Sequence, residues 1–299
     1  MVGPGAVKSV KSAGKRAVRL YGVVTASKRP PPDFAIIGAK RSGTTSLYYS
    51  LLRHPRVAAM FPSAERFPMR HDQKGVHFFD SEYGRGLRWY HAHFPTERAR
   101  ARESASAGGP VRVGEASPYY LYHPLAPVRA AHPLQQTRFI VLLRDPVERA
   151  HSHYREQKRN GVERLSFEEA LAAEPERTRG EEERILVEPT YRSFPHEQQS
   201  YVGQSEYVVG LRRWFEHFDR GQFVVIRSED FYKDPQAAYG EVLHHLGLEP
   251  LPLADPEAWN AAPNPGLAAD TRDSLRAQLR PSVEALESLL GRTFDWWDN

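Results

Sequence analysis

The chain has 299 residues, of which 40% are hydrophobic and none is cysteine, and its formal net charge is +4. This length and apolar content predict one large folded domain, and the lack of cysteine excludes disulfides and thiolate metal sites and fits a reducing, cytoplasmic setting. The mildly basic balance, with a pI of about 9.2, favours anionic ligands without indicating nucleic acid.

The first 32 residues differ in composition from the rest of the chain. They contain seven Lys or Arg residues and no acidic residue, and they end in three consecutive prolines. We interpret residues 1–32 as a basic N-terminal tail and Pro-rich linker, and residues 33–297 as the folded domain. Two interpretations of the tail stay open: a solvated basic arm, or an amphipathic segment that contacts a membrane surface or directs transport. No apolar run in the sequence approaches the ~20 residues of a membrane span.

From residue 33 onward, apolar runs alternate with segments of helical period. Strands are predicted at residues 34–37, 111–113, 138–143 and 222–226. Helices are predicted at residues 44–53, 83–93, 146–159, 205–218 and 272–290. Residues 174–184 are so highly charged that we expect a surface loop or flap. The pattern predicts an α/β fold of one domain, with a central parallel sheet flanked by helices.

A glycine-bearing turn between the first strand and the first helix has the outline of a phosphate-binding loop, Gly38-x-x-x-x-Gly43. In such a turn, backbone N–H groups and the positive end of the helix converge on an anion. Loops that bind nucleoside triphosphates carry a lysine after the second glycine, where this chain has Thr44. The cations here are Lys40 and Arg41, inside the turn. This favours a ligand whose reactive group lies nearer the loop than a γ-phosphate would; a turn that only packs the helix on the strand is the alternative.

A second strand-to-helix junction follows residues 138–143. Asp145 is a suitable N-cap, Pro146 suits the first helical position, and Glu148 is spaced to complete a capping box. Arg144 should therefore emerge at the carboxyl end of a strand, where open α/β sheets bind ligands. Ser152 lies about two turns along the helix, on a side that can face the same ligand. Two phosphate-type sites at strand ends indicate a nucleotide with phosphates at both ends.

At these two junctions the sequence resembles a known family. FAIIGAKRSGTTSLYYSLLRHP resembles the 5′-phosphosulfate loop of sulfotransferases that use 3′-phosphoadenosine 5′-phosphosulfate (PAPS), and RFIVLLRDPVERAHSHY resembles their 3′-phosphate motif. KGVHFFD, GEASPYYL, VVIRSEDFYKDP and GRTFDW are similar to the heparan sulfate glucosaminyl (3-O/N) sulfotransferase branch and its bacterial stand-alone relatives. The resemblance spans about residues 33–297. It implies a P-loop NTPase-like sulfotransferase fold.

The resemblance also implies an activity, namely sulfuryl transfer from PAPS to a hydroxyl, less often an amine, of a carbohydrate or small natural product. The residues themselves lead us to expect no metal, because no carboxylate completes a site with the paired histidines, no nucleic-acid partner, because the basic residues over 66–102 lack interleaved aromatics, and no transmembrane segment. The residues that the resemblance places on the nucleotide are Lys40, Arg41, Ser42, Gly43, Thr44, Thr45, Ser46, Arg144 and Ser152. Arg41 occupies the position of the family's catalytic lysine, where it would stabilise charge on the oxygen that leaves sulfur.

The general base of the reaction is harder to place. The glutamate that the branch uses falls on Gly75, so we expect His77, two residues on, to replace it. If the segment is extended, positions 75 and 77 point to the same face. A buried structural histidine is the alternative for His77, and Glu115 is a second candidate base. The acceptor-binding lysine of the branch falls on Ala116 and its Lys-Gly-Arg loop on residues 260–262, and both changes argue against a highly anionic acceptor.

Two other functions remain compatible with the sequence. A nucleotide or sugar kinase of the same loop architecture would need Mg²⁺ and would normally carry the lysine after Gly43. A silent binding protein could keep the site for 3′-phosphoadenosine 5′-phosphate (PAP) and lack a base, because Gly75 replaces the glutamate. The sequence does not identify the acceptor, because the acceptor pocket is built from variable segments such as 61–74 and 174–200, which match no known pattern.

Overall fold

The computed structural model describes residues 17–62, 74–253 and 266–297. Within them the chain forms a five-stranded parallel sheet with strand order β2-β3-β1-β4-β5. The strands are β1 Phe34–Gly38, β2 Val57–Ala58, β3 Arg112–Ala116, β4 Arg138–Leu143 and β5 Phe223–Arg227. The predicted α/β fold with a central parallel sheet is confirmed, and β1, the first strand in the chain, lies at its centre.

Helices pack on both faces of this sheet. The first, α1, comprises residues 17–24. The others are α2 Thr44–Leu52, α3 Leu87–His91, α4 Glu97–Ser106, α5 Ala126–Ala130, α6 Pro146–Arg159, α7 Phe167–Thr178, α8 Glu181–Val187, α9 Phe194–Gln198, α10 Tyr207–Phe215, α11 Ser228–Lys233, α12 Pro235–His245 and α13 Ala269–Leu290. A π-helical turn covers Phe78–Glu82. None of the described helices combines the length and apolar character needed to cross a bilayer.

The strands divide the hydrophobic core into two layers. In β1, Phe34 and Ile36 pack into one cluster, while Ala35 and Ile37 pack into the other. Residues of β4 alternate in the same way, because successive side chains of a strand point to opposite faces. Every residue of β1 is buried. Burial on both faces explains why β1 and β4 are continuous apolar runs in the sequence rather than alternating ones.

The prediction of a surface loop at residues 174–184 is wrong. Most of this segment belongs to α7 and α8, and α7 begins with a capping box between Ser166 and Glu169. Glu174 is only 6% exposed. Its carboxylate accepts backbone N–H bonds from the segment that follows α9, at Tyr201, Val202 and Gly203. One of the charged residues that suggested a surface loop, Glu174, is therefore buried and holds residues 201–203 in place.

The helix predicted over residues 83–93 is interrupted. Gly86 has φ 79°, and it separates a 3₁₀ turn at Tyr83–Arg85 from α3. The helix predicted over 146–159 is confirmed with those bounds, and Asp145 caps it through the N–H groups of Val147 and Glu148. The expected capping box is incomplete, however, because the N–H of Asp145 donates to Glu229 instead of Glu148.

Part of the predicted tail and linker packs on the domain. The guanidinium of Arg19 donates to the carbonyl of Ala92 at 2.9 Å, and Arg29 is 3% exposed and donates to the carbonyl of Phe94. Residues 1–16 lie outside the described part of the chain. The domain boundary at residue 33 therefore stays a prediction.

Candidate functional site

The loop between β1 and α2 has the geometry of an anion site. Gly43, the N-cap of α2, has φ 90°, a left-handed value that favours glycine. The N–H of Leu47 bonds to the carbonyl of Gly43, and no side chain among the described residues caps the helix. The N–H groups of the first turn, at Thr44 to Ser46, are therefore available to an anion at the positive end of the helix.

A cavity of about 1050 Å³ opens at this loop. It lies at the carboxyl edge of the sheet, because its walls include the segments that follow β1, β4 and β5. Among the described residues, seven Lys or Arg side chains line it against four Glu. The basic ones are Lys40, Arg41, Lys74, Arg144, Arg155, Arg159 and Lys233. This excess of positive charge suits a polyanionic ligand.

Most of the residues predicted to bind the nucleotide border this cavity. They are Lys40, Arg41, Gly43, Thr44, Thr45, Arg144 and Ser152. Ser42 and Ser46 do not border it; they are 0% and 3% exposed, and neither side-chain hydroxyl has a hydrogen-bond partner among the described residues. In this conformation those two side chains do not reach a ligand in the cavity.

Arg41 joins the two predicted phosphate motifs. Its Nε lies 3.2 Å from Ser152 Oγ and its Nη1 lies 2.6 Å from Glu156 Oε1. Arg144, at the end of β4, approaches the carbonyl of Arg41 at 3.5 Å. Burial lowers the pKa of Arg41, and the Glu156 carboxylate opposes that shift. Its φ of 75° is left-handed, and such backbone strain in a non-glycine residue concentrates at functional sites.

Lys40 points to the opposite wall. Its Nζ donates to Gln198 Oε1 at 2.8 Å and lies 3.4 Å from the carbonyl of Glu197. Burial lowers its pKa, while Glu197 and Glu156 oppose the shift. The two adjacent cations of the loop thus diverge, with Lys40 against α9 and Arg41 against α6.

Lys74 is a cavity residue that the sequence pattern does not predict. Its Nζ lies 2.5 Å from Thr45 Oγ1 and 3.4 Å from Thr44 Oγ1, at the first turn of α2. Burial lowers its pKa to about 8. A lysine from another segment therefore brings an ammonium to the phosphate loop, which lacks a lysine after Gly43.

His77 borders the cavity and pairs with Asp80. Its Nδ1 lies 2.8 Å from Asp80 Oδ2; 41% of the histidine side chain is accessible and none of the aspartate side chain is. A carboxylate accepts, so Nδ1 carries the proton and Nε2 is left to accept one. Burial by itself lowers the pKa of His77, but the Asp80 carboxylate outweighs it and the pKa is raised. The φ of His77, 52°, is also left-handed.

The expectation that positions 75 and 77 share a face is wrong. A Cβ at Gly75 would collide with the carbonyl of Ala116 and lie 2.7 Å from Ser117 Oγ. A side chain at position 75 would thus meet the end of β3, because the backbone packs there without space for a Cβ. His77 reaches the cavity through its left-handed conformation, not through an extended strand.

Glu115, the second candidate base, is placed as a structural group. It is 0% exposed and does not line the cavity. Its carboxylate accepts from the N–H of Val76 at 2.7 Å, from Ser117 Oγ at 2.7 Å and from the hydroxyl of Tyr90 at 2.8 Å. Burial raises its pKa although these bonds oppose the shift. The carboxylate holds the segment of Val76 and His77 against β3.

Further wall residues come from α6 and from the segment after β5. Arg155, Glu156 and Arg159 follow Ser152 at helical spacing, so the period of α6 predicts them once Ser152 is placed. Tyr232 and Lys233 follow the carboxyl end of β5, and ligands bind at the carboxyl ends of strands in open α/β sheets, as at β4.

Residues 63–73, which make up most of the first expected acceptor segment, and residues 260–262 lie outside the described residues. In the described part of the chain, no group of three His, Asp or Glu residues is arranged to hold a metal ion.

Comparisons with known proteins agree on one family. A family model described as "Sulfotransferase domain" matches residues 31–256. The membrane-associated sulfotransferase kil1 of Dictyostelium discoideum is 26% identical over 331 residues, covering 89% of this chain and 66% of that protein. The bifunctional heparan sulfate N-deacetylase/N-sulfotransferase 4 of Mus musculus is 29% identical over 223 residues, covering 73% of this chain and 22% of that protein.

A crystal structure of a sulfotransferase from Alicyclobacillus acidocaldarius superimposes with a TM-score of 0.62 at 29% identity. The match covers 90% of this chain and 99% of that chain. The chain thus spans almost the whole of this bacterial protein, but less than two thirds of the length of the two curated relatives.

Proposed function

The chain belongs to the sulfotransferase family, and from that premise we propose that it transfers a sulfuryl group from PAPS to a hydroxyl group of a carbohydrate or small natural product. One observation carries the proposal. The phosphate loop and the Arg144–Ser152 motif face one basic cavity of about 1050 Å³ and touch each other through Arg41. This arrangement supports a donor whose two phosphorylated ends would bind in the same cavity.

The donor would be held at two positions. The first turn of α2, with Thr44, Thr45 and Lys74, suits the 5′-phosphosulfate, because N–H groups, hydroxyls and an ammonium converge there. Arg144 and Ser152 suit the 3′-phosphate, since a guanidinium can donate two parallel bonds to a phosphate. Arg41, between them, would turn from Glu156 towards the anion.

In the transfer itself, a bond forms between the acceptor oxygen and sulfur while the bond from sulfur to the 5′-phosphate oxygen breaks. His77 would take the acceptor proton on Nε2, with Asp80 holding Nδ1 and stabilising the imidazolium that results. Arg41 and Lys74 would compensate the negative charge that develops on the leaving oxygen, and such fixed charges are effective in a partly desolvated site.

The acceptor class is part of the proposal. The described wall of the cavity that contains His77 also includes Tyr119 and Glu197, and burial raises the pKa of Glu197. A carboxyl group and a phenol in the same cavity as the base favour a neutral acceptor hydroxyl over a highly anionic glycan. A cytoplasmic location, supported by the lack of cysteine, belongs to the same proposal.

Two measurements test the proposed function. Calorimetry should show that PAP binds without Mg²⁺ and more tightly than ATP, as expected for a site that recognises a 3′-phosphate. Turnover of PAPS with a panel of sugar and small-molecule alcohols should then yield a sulfated product. Preference for ATP with Mg²⁺ would support a kinase, and tight PAP binding without turnover of any acceptor would support the silent binding protein.

Arg144→Ala tests the assignment of the 3′-phosphate. We expect it to weaken PAP binding by about 2–4 kcal/mol, the range for removing a charged hydrogen-bond partner, while hardly changing the weak binding of adenosine 5′-phosphosulfate. Calorimetry with both nucleotides measures the difference. Arg179→Ala is the matched control, because Arg179 is exposed and forms a surface ion pair with Glu176. If both nucleotides lost the same binding free energy, Arg144 would not be a ligand of the 3′-phosphate.

Lys74 predicts a particular pH dependence. Its ammonium, with a pKa of about 8, loses its charge as the pH rises, so kcat/KM should fall above about pH 8. Lys74→Met should lower kcat about 10- to 100-fold by removing a charge at the leaving oxygen. Lys74→Arg should retain activity and lose the alkaline fall, because a guanidinium stays protonated. An alkaline fall that persists unchanged in Lys74→Arg would assign it to another group.

A further inference from the structure

One face of α1 is apolar and exposed although the helix is docked on the domain. Residues 17, 20, 21 and 24 are spaced i, i+3, i+4 and i+7, so they share one side of the helix. Leu20 is 64% exposed, Tyr21 56% and Val24 64%, and Ala17 is also exposed. We call these four residues the α1 face.

The opposite side of α1 is fixed to the protein. The guanidinium of Arg19 donates to the carbonyl of Ala92, and Gly22 is buried so closely against Ala92 that an added Cβ would lie 2.8 Å from that carbonyl. The docked side thus orients the α1 face outward. Contiguous exposed apolar side chains of this kind are a feature of interaction sites.

The surroundings of the α1 face are cationic. Residues 17–32, the described part of the N-terminal segment, contain three cations, Arg19, Lys28 and Arg29, and no acidic residue. Within the described part, Lys28 is exposed just after α1, and Arg88 is exposed and donates to the carbonyl of Val23 at 3.4 Å. An apolar helix face flanked by basic side chains has the charge and polarity that fit the interface of an anionic bilayer.

From this arrangement we propose that the α1 face seats on the surface of an anionic lipid bilayer, with Leu20 and Val24 inserted between the headgroups. The size of the face favours a bilayer over a protein partner. A stable protein interface buries about 800 Å² on each side, which is more than one short helical stripe offers. A narrow apolar stripe can bind at a lipid interface, because the basic residues that flank it are attracted to anionic headgroups. The proposal does not depend on the sulfotransferase chemistry.

Flotation with vesicles tests the proposal. The full chain should float with vesicles of phosphatidylcholine and phosphatidylserine, much less with phosphatidylcholine alone, and less as salt screens the attraction. The double variant Leu20→Glu/Val24→Glu should reduce the partition coefficient about tenfold or more, because two apolar side chains are withdrawn from the interface and two like charges are added.

The matched control is Leu186→Glu/Val187→Glu on α8, where the two side chains are 48% and 76% exposed. It should float like the wild type, while both double variants keep the wild-type melting temperature and PAP affinity. Equal flotation of the wild type with both vesicle types, or equal losses in the two double variants, would overturn the proposal. So would a wild-type dimer that Leu20→Glu/Val24→Glu dissociates and that does not float, since a second copy would then cover the face.

Discussion

Replacing His77 with alanine is expected to lower kcat for sulfuryl transfer about 10²- to 10⁴-fold, the usual contribution of a positioned general base. The expectation rests on the position of His77 at the cavity and on Asp80, which holds Nδ1 at 2.8 Å and leaves Nε2 to accept the acceptor proton. PAP affinity should stay within about threefold, or ~0.65 kcal/mol. Initial rates with PAPS and calorimetry with PAP separate the two effects.

The Asp80 carboxylate sets the pH dependence of this step. Because Asp80 raises the pKa of His77 above its ordinary value of about 6.5, the neutral imidazole becomes the major form at a higher pH than in a free histidine. We therefore expect kcat/KM to rise with pH through an ionisation above that value. Asp80→Asn should lower that pKa and move the rising limb towards acid pH. His132→Ala, at an exposed histidine outside the cavity, is the control and should leave the limb in place. Full activity of His77→Ala would exclude His77 as the base.

Replacing Arg41 with alanine is expected to lower kcat about 10²- to 10³-fold with a smaller loss of PAPS affinity, because a charge aimed at the leaving oxygen interacts more strongly in the transition state than in the ground state. Arg41→Lys should remain active, since a cation is retained. Single-turnover rates at saturating PAPS measure the chemical step directly.

Glu156 affects the result of the Arg41 experiment and also provides a double variant that separates the effect on affinity from the effect on kcat. Arg41→Ala leaves the carboxylate of Glu156, 2.6 Å from Arg41 Nη1 in the intact protein, without this partner in the cavity that we propose binds the anionic donor. Part of any loss of affinity would then come from repulsion. The double variant Arg41→Ala/Glu156→Gln removes the repulsion, so it should recover affinity and leave kcat low. Recovery of kcat as well would mean that Arg41 only neutralises Glu156.

Much of the fold follows from local patterns. The continuous apolar runs of β1 and β4 and the Asp145–Pro146 start of α6 predict these elements with nearly the bounds observed. The rest depends on tertiary contacts. β2 has only two residues and exists through its pairing with β3, and α7 has a charged sequence whose Glu174 is buried because three N–H groups of another loop require an acceptor.

The site divides in the same way. Residues next to the two junctions, such as Arg41, Arg144 and Ser152, were predicted because strand ends and helix starts impose their positions. Lys74 was missed because it reaches Thr45 from a segment without periodicity, and only the folded chain brings the two together. The packing of Gly75 against β3 could not be predicted from the sequence either. The prediction assumed an extended segment, which places position 75 on the same face as His77, whereas the folded chain turns it towards β3.

The central position of β1 has a consequence for synthesis of the protein. β1 leaves the ribosome before the other strands, but the strands on either side of it, β3 and β4, come much later in the chain. The nascent chain must therefore carry the apolar segment FAIIG without either neighbour until β3 has emerged, and such a segment is prone to aggregate or to bind chaperones. The anion site is completed later still, since it also needs α6. A truncated chain that ends before β4 would leave one edge of β1 unpaired and would lack the residues of α6 that line the cavity.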